Sequence, residues 1–130
     1  MCRGAIGISI VAVLSLAGCG SSSDGPGGGV YSCNSPVEHS CVDLAAAPGG
    51  TFTIADVSIL QVLCTAVPAT WSSTAACPTS GRVGTCTFTT PAAELGISVP
   101  LATQARAYPP ITAVDAAADC ALIPGVWTAN

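Results

Sequence analysis

Six cysteines, Cys33, Cys41, Cys64, Cys77, Cys86 and Cys120, constrain this fold more than any other feature. They lie in a stretch of about a hundred residues, the size of one domain with one modest core. Few charges accompany them: 8% of the chain is Asp, Glu, Lys or Arg. An even cysteine count in an oxidising compartment reads as a disulfide framework, and six allow fifteen pairings. Zinc is the competing use of cysteine. It is not expected here, because no C-x-x-C pair is present and His39 is the single histidine.

The residues ahead of the domain bear on the compartment. Arg3 precedes an apolar run from Ala5 to Ala17. As a helix the run would be about 20 Å long at ~1.5 Å per residue. A bilayer core of ~30 Å asks for about 20 apolar residues, so the segment reads as an export signal rather than a span. It ends in Leu16-Ala17-Gly18-Cys19, which resembles the lipobox of bacterial lipoproteins. That resemblance implies a signal peptide over residues 1–18, with Cys19 acylated and first in the mature protein. Residues 19–29 continue as Cys-Gly-Ser-Ser-Ser-Asp-Gly-Pro-Gly-Gly-Gly. Such a composition reads as a tether, not a core-forming segment. The folded domain is then 30–130. Gly20, rather than Asp, after the modified cysteine implies the outer membrane of a Gram-negative envelope. The partners implied are the membrane, through lipid on Cys19, and the enzymes that process lipoproteins.

Beyond Cys19 the basic residues are Arg82 and Arg106, against seven acidic residues, a formal charge of −5. Nucleic acid is excluded as a partner, because displacing its counterions needs Lys and Arg. An electrostatic hold on anionic lipid is excluded for the same reason.

A near-repeat organises the domain. Cys64-Thr-Ala-Val-Pro-Ala-Thr-Trp71 matches Cys120-Ala-Leu-Ile-Pro-Gly-Val-Trp127, with Cys, Pro and Trp at the same offsets. Upstream, Thr53-Ile-Ala-Asp56 matches Thr112-Ala-Val-Asp115. Thr-x-x-Asp before an apolar run is a helix-start signature. Each copy predicts a helix ending near its cysteine, a proline turn and a short strand carrying tryptophan. Arg82 to Thr90, rich in Thr, Val and Phe, predicts a strand after the Ser80-Gly81 turn. Gln104 to Tyr108 predicts its partner, closed by Pro109-Pro110. The expected fold is a small disulfide-stabilised α+β domain with a short antiparallel sheet and two helices, arranged as a helix–turn–strand near-repeat. The expected pairing is Cys33–Cys41, Cys64–Cys77 and Cys86–Cys120. Its first two bridges join sequence neighbours, and the third pins the second helix to the central strands. Each is worth roughly 2–4 kcal/mol.

Taken together, Cys64…Trp71, Cys77-Pro78, Arg82-Val-Gly-Thr-Cys86, Tyr108-Pro109 and Cys120…Trp127 resemble a group of small cysteine-containing bacterial lipoproteins. The resemblance covers about residues 31–128, with Arg-Val-Gly-x-Cys its most specific part. Proline stands here where that group more usually has glycine in its turns. The resemblance implies a shared fold and supplies no mechanism.

Candidate chemistry is sparse. Ser35, Glu38, His39 and Ser40 contain the ingredients of a serine hydrolase, but neighbours on one loop seldom converge, and no G-x-S-x-G elbow is present. Asp115 and Asp119 share a helix face. Asp115 reads as a cap and Asp119 as a solvent-facing residue rather than a calcium pair. Arg82 reads as a structural partner rather than an anion site. Trp71, Trp127 and Tyr108 read as core plugs rather than a sugar platform. Gly27 to Gly29 lack the lysine of a phosphate loop. No catalytic activity, metal or cofactor is expected. The expected role is that of an envelope-anchored lipoprotein that is structural or binds a protein or glycan. The alternative is an inhibitor or recognition module using a protruding loop, Cys33 to Cys41 or Cys77 to Cys86. A small hydrolase ranks third.

Overall fold

The structure is a computed structural model and describes residues 30–130. The expected signal peptide (1–18), the expected lipidation at Cys19 and the expected tether (19–29) lie outside the described residues. The domain is α+β. Its elements run β1 (Tyr31–Ser35), β2 (Ser40–Ala46), α1 (Ile54–Thr65), β3 (Thr70–Ser72), β4 (Gly84–Thr90), α2 (Ala92–Leu95), β5 (Leu101–Ala107), α3 (Ala113–Ala121) and β6 (Val126–Ala129). One antiparallel six-stranded sheet has the order β3-β1-β2-β5-β4-β6.

Both expected helices form, for the expected local reason. At α1, Thr53 Oγ1 accepts from the Asp56 amide (3.2 Å) while the Asp56 carboxylate accepts from the Thr53 amide (2.8 Å), a reciprocal cap. At α3, Thr112 Oγ1 accepts from the Asp115 amide (3.1 Å). Each helix ends one residue after its cysteine, and each tryptophan lies in a short strand, β3 or β6. The predicted central strands appear as β4 and β5, the latter starting three residues earlier than expected. The sheet is wider than the sequence suggested, and the four-residue α2 is an additional helix.

The strand register reveals a two-fold relation that extends the near-repeat to the whole domain. The first half is β1-β2-α1-β3 and the second is β4-β5-α3-β6, with α2 inserted. In the first half Cys33 lies between Val42 and Trp71; in the second Cys86 lies between Ala105 and Trp127. Val42 and Ala105 face each other across the β2–β5 ladder that joins the halves. The approximate axis therefore passes between Val42 and Ala105, and both helices lie on one face of the sheet.

Side chains alternate across a sheet, so this register sorts the cysteines. Cys33 and Cys86 point to the helix face, where they bond Cys64 of α1 and Cys120 of α3. Cys41 stands next to Val42 and so points to the opposite face, where it bonds Cys77. The bridges are thus Cys33–Cys64, Cys41–Cys77 and Cys86–Cys120. The expected Cys33–Cys41 and Cys64–Cys77 bridges are corrected. Each would have joined cysteines on opposite sides of the sheet. Cys86–Cys120 forms as expected.

The core gathers on the helix face around α1: Tyr31, Leu44, Phe52 and Leu60 of the first half, with Ile97 and Leu101 from the stretch after α2. Trp71 stacks on Tyr31 with ring centroids 5.4 Å apart. At the position equivalent to Tyr31 stands Gly84. A Cβ there would fall 2.3 Å from the Trp127 ring, so only glycine admits that indole. Trp71, Trp127 and Tyr108, expected as core plugs, are all half-buried: Trp71 packs against the core from its edge, and Trp127 and Tyr108 lie outside that cluster.

Candidate functional site

The two faces of the sheet differ. On the face away from the helices, the segment after β3 is pinned down. Ser32 Oγ donates to the Ala75 carbonyl (2.6 Å), and the Cys77 amide donates to Asp43 Oδ1 (2.7 Å). Asp43 Oδ2 also meets Arg106 Nη2 at 2.7 Å, and Arg106 Nη1 donates to the Cys77 carbonyl. Both side chains of this ion pair are buried. A buried pair that also holds a disulfide loop by its main chain is structural in character. Tyr108 OH donates to the Pro78 carbonyl (2.5 Å) and completes the clamp. Burial raises the Tyr108 hydroxyl above its ordinary range, against the lowering influence of nearby Arg106.

The helix face is where space remains. Two hollows flank the approximate axis. One, of about 80 Å³, lies against α1 and is lined by Leu60, Leu63, Val67, Leu44, Leu95 and Leu101 among others. The other, of about 130 Å³, lies against α3 and is lined by Ala116, Asp119, Leu122, Ile123, Ala105 and Trp127 among others. Ser40 and Val42 line both, so the hollows adjoin over the centre of the sheet. Their walls correspond under the two-fold relation: Leu60 with Ala116, Leu63 with Asp119, Cys64 with Cys120 and Val67 with Ile123. The result is one apolar groove with a wall of larger side chains on the α1 side and smaller ones on the α3 side. Leu122, 82% exposed, stands at its rim. The acidic lining residues are Glu38 and Asp119. Arg106 also borders the second hollow, but its guanidinium is engaged by Asp43.

The sequence-based candidates can now be placed. His39 is exposed in the β1–β2 turn with φ 51°, and its carbonyl accepts from the Tyr108 amide. Ser35 and Ser40 are buried, and Ser35 Oγ donates to the Pro68 carbonyl (3.3 Å). The fold brings Ser35, Glu38 and Ser40 to the α1 hollow but assembles no hydrogen-bonded serine–histidine–carboxylate array from these residues. Asp115 caps α3 as expected. Asp119, expected to face solvent, is half-buried in the groove wall, so that expectation is corrected. Arg82 Nε donates to Asn130 Oδ1 (3.0 Å), a structural partner as expected. Among the described residues no group of three His, Cys, Asp or Glu side chains is placed to hold a metal. Among them, too, no helix is long and apolar enough to cross a membrane.

Sequence reasoning missed the groove and the Asp43–Arg106 pair. The alternation Cys41-Val42-Asp43-Leu44 contains the signal for both, since it sends Val42 and Leu44 to one face and Cys41 and Asp43 to the other. Comparison with protein-family models, with curated proteins and with solved structures finds no match.

Proposed function

We propose that this protein is an envelope-anchored bacterial lipoprotein whose domain binds rather than catalyses. The anchor reading rests on Leu16-Ala17-Gly18-Cys19 behind a short apolar run and ahead of a Gly/Ser segment. The binding reading rests on one observation: an apolar groove lies open over the central strands. Apolar clefts with few polar groups are the usual form of binding sites. Its partner on this reading is an apolar group presented at the envelope, and the outer membrane of a Gram-negative cell is the proposed location. The protruding-loop alternative draws less support, because Cys33 to Cys41 is not closed by a bridge of its own. Cys77 to Cys86 begins in a segment clamped to the sheet.

Cys19→Ala tests the anchor. The variant should leave the membrane fraction, as a soluble or unprocessed form, and carry no label from radioactive palmitate. Retention of label in C19A would overturn the reading.

A further inference from the structure

We propose that the groove holds an acyl chain of the lipid carried on Cys19 of the same molecule; the inference rests on the lipoprotein reading above. Three observations select this occupant. The first is shape. Hollows of about 80 and 130 Å³ that adjoin at Val42 and Ser40 suit a thin flexible chain. For scale, an apolar cavity of about 150 Å³ is filled by a benzene-sized molecule, and a drug-sized ligand needs ~300–1,000 Å³.

The second observation is charge. The ionisable lining residues other than the engaged Arg106 are Glu38 and Asp119, so the groove provides no uncommitted cation for a free fatty acid's carboxylate. An acyl chain already bound to cysteine, as ester or amide, brings no carboxylate with it. The third is position. Tyr31 begins β1 opposite Leu44, and Leu44 lines the α1 hollow. The chain leading from Cys19 therefore enters the domain beside one end of the groove. Eleven residue steps separate Cys19 from Val30, a reach of at most about 36–40 Å at ~3.3–3.6 Å per residue. The seven-residue β2 beneath the groove is about 23 Å long at ~3.3 Å per residue. A lipid on Cys19 can therefore reach every part of the groove.

Placing the chain in the groove removes CH₂ groups from water much as the bilayer does. The groove would shelter a chain while the protein is away from the bilayer and hold the domain near the surface once it arrives.

The test uses the full chain, expressed in a bacterium fed a diazirine-bearing fatty acid. Mass spectrometry of the amino-terminal peptide first reads acylation. An unmodified Cys19 would overturn the lipoprotein reading, and this inference with it. With Cys19 acylated, irradiation of the membrane-released protein should join its acyl chain to peptides covering residues 54–67 or 113–127. Ala105→Phe, which fills the groove floor, should lower that yield at least fivefold. Leu122→Glu, a rim substitution that leaves the core untouched, should lower it severalfold. Thr87→Phe, on the opposite face, should leave it unchanged. Acylated A105F and L122E that both keep the yield of the unsubstituted protein would overturn the groove as the site. Groove peptides labelled equally in C19A would show a free lipid instead. A mixture of isotopically light and heavy chains that crosslinks between copies would assign the groove to a second copy's lipid. Either result would overturn the proposal.

Discussion

Asp56 is the residue on which the first half closes. It is 3% exposed, and its carboxylate accepts from the amide and hydroxyl of Thr53 and from the amide and hydroxyl of Ser98. It therefore caps α1 and ties that helix to the connection between α2 and β5. Burial pushes its pKa up, but the four hydrogen bonds outweigh burial and leave it below the ordinary carboxylate range. A carboxyl depressed in the folded state contributes stability that is complete above its unfolded pKa and is lost as pH falls through the folded value. Stability should thus decline as pH drops below about 4, the ordinary carboxylate value. Asp56→Asn should cost about 2 kcal/mol at neutral pH, the scale of hydrogen bonds to a charged group. It should also flatten the acid limb, as read by urea denaturation across a pH series. Gly84 carries a different constraint, the close approach of Trp127. Gly84→Ala should destabilise by ~1–3 kcal/mol, the range for overpacking, with a shift in tryptophan fluorescence. Gly81→Ala would strain its own φ of 75° but meet no neighbour, so its fluorescence should stay unchanged.

At the scale of elements, what was legible in the sequence was local. Thr-x-x-Asp gave both helix starts, because a cap is made within four residues. The prolines and tryptophans gave the turns and edge strands. Thr112→Ala should cost about 1 kcal/mol by chemical denaturation, the ordinary price of a lost cap. Both threonine hydroxyls also donate to their carboxylates, but Thr53→Ala should cost more, since Asp56 is buried and tied to Ser98 whereas Asp115 is exposed. The disulfide partners were not legible. Cys33 and Cys41 are close in sequence, yet a one-position difference in register sends them to opposite faces. Their true partners lie 31 and 36 residues away, and choosing them requires knowing which strand each segment pairs with. The groove was hidden for the same reason. The alternation around Val42 marks which face it takes, but Val42 and Ala105 become neighbours only through the β2–β5 ladder, so their joint floor is not local.

At the scale of the molecule, all three disulfides stay within the halves. Cys33–Cys64 and Cys41–Cys77 belong to the first half, and Cys86–Cys120 to the second. Trypsin offers a direct check. Among the described residues the basic side chains are Arg82, just before β4, and Arg106, buried in β5. Limited digestion should cut after Arg82 and leave a particle of unchanged size under native conditions. Denaturation without reductant should then separate two pieces. A single band under those conditions would mean that a bridge crosses between halves and that the pairing is different.

One departure from the two-fold relation has a consequence of its own. Asp43 and Arg106 occupy equivalent positions, one step from Val42 and one from Ala105, yet they carry opposite charge. Two first halves joined by the same ladder would bury carboxylate beside carboxylate, and two second halves guanidinium beside guanidinium. Only unlike halves can meet without that penalty. The sign change across the axis therefore acts as an identity label: it makes each half recognise the other and refuse its own kind.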